Sequence, residues 1–310
     1  MSNEITKTVR SAGVYKIILP PGLQATVTYY MWGAGGAAAG HDGGGPHGKG
    51  AGGCYTTGTV EVTGDDVIRF AVGEGGKGGK PGTSRGAGNG GRSLIGYSGG
   101  RGGNPGSRGW SGGGGGGGGA TVLQVNDANV AVAGGGAGGG GGSHQRAGYD
   151  GLNTHGGAST SRGDQGQDMP GDGAGGGGGG GGLVGGSGGA YGPDKNRGGA
   201  GGNTGTGGTP GVGQNPSTTS NGWVSPAGIG GKSESQNGGD GLVILHFAFH
   251  GLGQIKNDGE WKDITDVFYK KDGDWVPVTS VAVKRNGEWK TTTYSADRVV
   301  VLGSPGDYGI

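Results

Sequence analysis

The chain has 310 residues, 93 of them glycine, with 29% hydrophobic residues and a formal net charge of +1 at pH 7. So little apolar material excludes a large ordinary core, and so little charge excludes extension by self-repulsion. No basic excess points to nucleic acid, and the single cysteine, Cys54, excludes an intrachain disulfide framework.

The length suggests one or two domains. The first ten residues hold no apolar signal region, and no apolar stretch reaches about 18 residues. A soluble product made in a cytoplasm is therefore expected. Residues 14–32 read as two strands. Tyr15, Ile17 and Leu19 form one alternating set and Val27, Tyr29 and Met31 another, with a turn at Pro20-Pro21-Gly22. The second strand ends in Trp32 and runs straight into Gly33-Ala34-Gly35-Gly36. Residues 55–62 and 67–72 suggest a hairpin around Gly64-Asp65, running into Gly73-Glu74-Gly75-Gly76. Residues 121–125 and 129–133 suggest another around Asn126-Asp127, running into Gly134-Gly135-Gly136. A glycine segment returns at Gly239-Asp240-Gly241 into a strand over 242–249. Val243, Leu245, Phe247 and Phe249 share one face of that strand, the expected core side. Cys54 is expected to be a buried strand residue.

Residues 33–241 hold 83 of the 93 glycines, with unbroken runs at 112–119 and 175–182. Each glycine costs roughly 0.5–1 kcal/mol relative to Ala in lost backbone freedom. Such a stretch is either a flexible linker or a solid that exploits the missing side chain. The expected solid is an array of extended polyglycine helices, with three residues per turn and no internal hydrogen bonds. Its amides and carbonyls point outward and must find partners on neighbours. The strands that feed the runs and take them back are punctuation a linker would not need. The reading is therefore all-β: a small β-sandwich feeding a bundle of packed polyglycine II helices, then short β-hairpin repeats, with essentially no α-helix.

The last 60 residues, 251–310, change character and are read as a second unit after 1–250. Gly259-Glu260-Trp261, Gly273-Asp274-Trp275 and Gly287-Glu288-Trp289 recur at a spacing of 14. Asp258-Gly259, Asp272-Gly273 and Asn286-Gly287 suit type I′ turns, so each unit reads as strand, tight turn, strand. Val299-Val300-Val301-Leu302 reads as a last strand. Three short hairpins bury little alone and need neighbours, either the sandwich or sister chains.

Thr28-Tyr29-Tyr30-Met31-Trp32-Gly33-Ala34-Gly35-Gly36, Phe70-Ala71-Val72-Gly73-Glu74-Gly75-Gly76, Ala131-Val132-Ala133-Gly134-Gly135-Gly136 and Gly239-Asp240-Gly241-Leu242-Val243-Ile244 together resemble the glycine-rich domain of phage tail-fibre and tail-tip proteins. The resemblance covers roughly residues 10–250, and the three hairpins are similar to repeats that end phage tail proteins. It implies packed polyglycine helices whose far loops touch a host receptor. The partners implied are other virion tail proteins, a bacterial surface receptor (protein or glycan) and sister chains in a homo-oligomer such as a trimer, with the protein located in the virion tail. Aromatics and arginines on the loops between glycine runs are the candidate contacts: Tyr97, Arg101, Trp110, Arg146, Tyr149, Asp150, His155, Arg162, Tyr191 and Trp223. The plain alternative is that Trp110 and Trp223 close the ends of the bundle and the rest are solvated spacers. A virion component without a receptor role is a second reading, and a surface polysaccharide depolymerase a third.

Chemistry-bearing motifs are weak. Gly231-Lys232-Ser233 lacks the earlier glycine of a phosphate loop, because position 226 is Pro226. Arg162-Gly163-Asp164 spells an integrin ligand, but such a triplet arises by chance in a glycine-rich loop. His41 and His47 flank glycines without a cysteine or carboxylate cluster, so no zinc is expected. A depolymerase needs two carboxylates across a groove, and Asp150, Asp164, Asp168 and Asp172 qualify only by being acidic. Neither catalysis nor a cofactor is expected.

Overall fold

The structure, a computed structural model, describes residues 4–19, 24–41, 46–82, 85–94, 96–107, 111–143, 147–152, 158, 160–191, 227–250 and, as strands, seven stretches between 254 and 305. The described residues contain no α-helix. One antiparallel sheet has the order β1-β8-β3-β4, with β1 at Glu4–Val9, β3 at Gln24–Trp32, β4 at Tyr55–Thr63 and β8 at Leu242–His250. The other has the order β15-β2-β5-β6-β7, with β2 at Gly13–Ile18, β5 at Ile68–Val72, β6 at Thr121–Val125, β7 at Ala128–Ala133 and β15 at Val300–Pro305.

Alternation brings the two sheets face to face. Val27, Tyr29 and Met31 of β3 and Val243, Leu245 and Phe247 of β8 meet Tyr15 and Ile17 of β2, Phe70 of β5 and Leu123 of β6 in one core. Each fully buried side chain of this size contributes roughly 1.5–3 kcal/mol. Tyr15 stacks on Phe70 with ring centroids 5.2 Å apart. The expected core face of β8 is thus the observed one, with Phe249 packed at its margin.

Two strand assignments change. The segments at 55–62 and 67–72 do not form a hairpin: β4 pairs with β3, whereas β5 pairs with β2 and β6 in the opposite sheet. The intervening turn is a corner between sheets. Asp66 locks it by accepting from the Thr63 amide (2.6 Å) and from Asn126 Nδ2 on the β6–β7 turn (2.7 Å). The N-terminal segment, read only as lacking a signal, supplies edge strand β1 beside β8. By contrast, the β6–β7 hairpin forms at Asn126-Asp127, whose φ angles of 51° and 62° are those a type I′ turn requires.

Three strands hand the chain to glycine, at Gly33, Gly73 and Gly134, as the sequence suggests. Three glycine segments return it, into β4, β6 and β8, where only the return into β8 is legible in the sequence. Cys54 is fully buried, but it is the last residue before β4 rather than a strand residue. Burial pushes its thiol pKa far up, so it stays protonated.

Between these junctions the glycine segments bond to one another with a period of three. The run beginning at Gly112 shows the rule. Gly112, Gly115 and Gly118 donate to Gly142, Gly139 and Gly136. Gly113, Gly116 and Gly119 donate to Lys80, Lys77 and Glu74. Gly114, Gly117 and Ala120 donate to Gly103, Gly100 and Tyr97. All nine N···O distances are 2.8–3.0 Å. Three further segments donate into the carbonyls of the run: Ala34, Ala37 and Gly40; Gly88 and Gly91; and Gly175, Gly178 and Gly181. One segment is thus ringed by six others. Successive amides point to three different neighbours, which is the repeat of an extended helix with three residues per turn.

Glycine is required because there is no room for anything else. A Cβ added at any residue from 112 to 119 would lie 1.8–2.3 Å from a neighbour's carbonyl oxygen. Where the lattice ends, side chains finish it. In the row of amides at Gly75 and Gly78, Asp240 Oδ1 accepts from the first (2.9 Å) and Asn237 Oδ1 from the second (3.0 Å). The next position in that row is Pro81, which has no amide to satisfy.

Beyond β8 come three separate two-stranded sheets. These are β9 (Gln254–Asn257) with β10 (Glu260–Asp263), β11 (Phe268–Lys271) with β12 (Asp274–Pro277), and β13 (Ser280–Arg285) with β14 (Glu288–Thr293). The type I′ turns expected at 258–259, 272–273 and 286–287 lie outside the described residues. The chain then returns to the sandwich as β15, the expected last strand.

Gly117 and Gly171 separate close packing from glycine content. A Cβ at Gly117 would sit 2.0 Å from the Gly179 oxygen, whereas at Gly171 the nearest atom is Met169 Cε at 4.0 Å. Gly117→Ala is expected to lower the unfolding free energy by roughly 3 kcal/mol, and Gly171→Ala by less than about 0.5 kcal/mol, in denaturant titrations.

Candidate recognition surface

The glycine bundle has two poles. Residues 34, 74, 119, 136 and 181 lie level with one another through their hydrogen bonds, next to the strand junctions. Residues 40, 80, 112, 142 and 175 lie level at the other end. The residues that follow 40, 80 and 142 and those that precede 112 and 175 form the far pole, remote from the sandwich.

The candidate contact residues are spread between the poles. Tyr97 belongs to the junction pole. Its carbonyl accepts from Ala120 (3.0 Å), its ring packs against the cluster of Leu94, Val122 and Val132, and its hydroxyl accepts from Asn129 Nδ2 on β7. Arg162 is exposed and precedes Gly163, whose amide donates to Ser98, one residue beyond Tyr97. Arg101 sits mid-segment and donates to Asp168 Oδ1 (3.0 Å). Asp168 also accepts from the Asn104 amide (2.7 Å) and from Asn104 Nδ2 (3.1 Å).

Tyr149 and Tyr191 differ from these. The Tyr149 carbonyl accepts from Gly140, close to the far pole, and its side chain is exposed. Tyr191 follows Ala190 at the far end of a short segment tied through Gly189 to Gly177, and it too is exposed. Asp150 lies beside Tyr149, but its Oδ1 is held by the Lys49 amide at 2.8 Å. Trp110, Arg146, His155 and Trp223 lie outside the described residues.

The structure adds a group that spacing alone did not connect. His41 Nδ1 lies 2.6 Å from Glu234 Oε1, which also accepts from the His41 amide at 3.2 Å. His47 meets the carbonyl of Lys232 at 3.2 Å; since a carbonyl only accepts, Nε2 carries the proton. The two rings stand 6.1 Å apart. These contacts tie His41 and His47 to residues 232–234, at the far pole. The partners are nearly 200 residues apart, so no local pattern announces them. Among the described residues no three His, Cys, Asp or Glu side chains gather to hold a metal.

The carboxylates on this surface mostly serve the backbone. Asp150, Asp168, Asp240 and Glu234 each accept from a main-chain amide of another segment. Glu74, at the junction pole, is the most enclosed. Burial alone would raise its pKa, but Lys77 Nζ at 2.8 Å and Arg92 Nε at 2.9 Å outweigh it and hold the carboxyl below the ordinary glutamate value. Comparison with models of protein families finds no match to this chain, and none of the curated proteins is similar to it in sequence.

The depressed carboxyl of Glu74 sets a pH dependence. A group whose folded pKa lies below its unfolded value adds stability in full above the unfolded value, about 4.3 for glutamate. That contribution is lost as pH falls through the folded value. Thermal melts are expected to show Glu74→Gln less stable than the parent at pH 7, with the gap closing under acid conditions. A gap independent of pH would contradict the ion pairs.

Proposed function

We propose that this chain is a structural and adhesion protein of a tailed-phage virion, placed at a tail fibre or tail tip. Its glycine segments act as polyglycine II helices, and the turns at the far pole bind a receptor on the bacterial surface. The observation that carries this reading is the ring of six hydrogen-bonded segments around residues 112–120. A backbone solid of this kind is stiff without a large apolar core. It can carry variable turns at a fixed distance from the sandwich, as recognition loops on rigid scaffolds require. The likeness of its four strand–glycine junctions to phage tail-tip proteins supports the same reading.

Among the described candidates, Tyr149 and Tyr191 are best placed for contact, being exposed at or near the far pole. Tyr97, Arg101 and Asp150 hold the bundle together through their own partners. Binding by each copy would be weak, and several copies on one particle would raise it by orders of magnitude. A second reading, a virion component without a receptor role, is favoured by the extent to which the surface carboxylates are occupied by backbone amides.

The two readings separate on intact particles. Tyr149→Ala with Tyr191→Ala is expected to reduce adsorption to host cells roughly tenfold or more, the loss of aromatic hot spots, with particle yield unchanged. Equal adsorption at equal yield would favour the structural role. Sugar release from host polysaccharide by purified protein would overturn both.

A further inference from the structure

His41 and His47 stand on backbone that the glycine lattice fixes. His41 follows Gly40, whose amide donates to Gly113 (2.9 Å). His47 precedes Gly48, whose amide donates to Gly140 (3.0 Å) and whose carbonyl accepts from Ala39 (2.9 Å). The residues these rings meet are fixed as well. Gln236 Oε1 accepts from the amides of Lys232 and Ser233, both at 2.9 Å. Ser235, with a φ of 58°, donates its amide to Ala39 (3.1 Å) and its hydroxyl to the Gly79 carbonyl (2.6 Å). Glu234 is thereby held between two anchored neighbours.

Each ring commits one nitrogen to a fixed partner. His41 Nδ1 and Glu234 Oε1 are 2.6 Å apart, so a proton lies between them, since two lone pairs would repel at that distance. His47 Nε2 donates to the Lys232 carbonyl. In the neutral rings this leaves His41 Nε2 and His47 Nδ1 with lone pairs, and among the described residues neither has a partner. Histidines that ligate metals are oriented in this way, with the other ring N–H given to a carboxylate or a backbone carbonyl. The spacing fits too. With N–Zn bonds of about 2.0–2.1 Å, two imidazoles on one ion hold their centroids roughly 5–6.5 Å apart. These two stand 6.1 Å apart, and both are partly exposed, so an ion can reach them from solvent. The carboxylate that the local sequence lacks arrives as Glu234, 193 residues along the chain.

We propose that His41 and His47 form a two-nitrogen site for a transition-metal dication such as zinc, with Glu234 and the Lys232 carbonyl positioning the rings. Imidazole nitrogen selects such ions over calcium and magnesium, which take oxygen. Two protein ligands leave the coordination shell open, and no third His, Cys, Asp or Glu among the described residues completes it. The remaining positions take water or a donor from outside the chain. A bound ion links residues 41 and 47 and stabilises the folded chain. The site does not depend on the virion reading.

Calorimetric titration of the metal-free full chain with zinc chloride tests the site. His41→Ala and His47→Ala are each expected to weaken zinc binding by roughly tenfold or more. Glu234→Gln keeps an acceptor for the His41 amide but removes the charge, and is expected to weaken binding roughly tenfold. Zinc is expected to raise the melting temperature of the parent but not that of the His41→Ala, His47→Ala double variant, and calcium chloride to raise neither. Melts in chelator show whether each variant folds; where an alanine variant does not, His47→Gln, at a partly exposed position, is expected to show the same loss of affinity. A parent that does not bind zinc would overturn the proposal. So would equal affinity in the parent and in the folded His47 variant, the result expected of adventitious binding at other histidines. Equal affinity in Glu234→Gln would overturn the positioning role of Glu234.

Discussion

A missing methyl group governs this molecule. Where two backbones approach closely enough for an amide to reach a neighbour's carbonyl at 2.8–3.0 Å on one side, the Cα on the other side presses on a third backbone. A Cβ there would lie about 2 Å from an oxygen. The glycines that would make a free chain floppy are what allow this one to pack. Their entropic cost is offset by hydrogen bonds made in a place from which water is shut out.

Such a lattice has sides as well as ends, and its sides carry amides that need acceptors. Asp240, Asn237, Asp150, Asn104 and Asp168 supply them with side-chain oxygens, and Pro81 removes the need at one position. This is the bundle's counterpart to the blunting of exposed strand edges. It also explains why acidic residues that look available for chemistry are engaged: their first task is to close the surface of a backbone solid. The tyrosines at 149 and 191 are exposed near the far pole, which is why they are the better candidates for contact.

The sandwich and the bundle depend on each other. Six junctions connect them, and each aligns a strand with a glycine segment so that ladder bonding with a period of two gives way to bonding with a period of three. Trp32 and Tyr55 pack together at one such boundary, with centroids 4.8 Å apart, beneath the first glycine layer. The corner at Asp66 and the turn at Asn126 close the opposite pole of the sandwich, the side from which the hairpin array departs. The sandwich thus lies between two ends of different composition, the glycine bundle on one side and the hairpins on the other.

The sequence by itself determined the element types. Alternation marked β2 and β3, and the core face of β8; unbroken glycine marked the segments that must lie without side chains among neighbours; and Asn126-Asp127 marked its own turn between β6 and β7. Tertiary structure alone decided partners. A glycine run carries no address, since every residue offers the same amide and carbonyl, so nothing local says that 112–120 sits at the centre or that Glu234 meets His41. Likewise β4 and β5 look like a hairpin until the core draws them into opposite sheets, and β1 becomes a strand only beside β8, where Thr6 bonds a histidine 240 residues away. Local pattern sets conformation, whereas neighbours across such distances are chosen by the burial and hydrogen bonding of the whole chain.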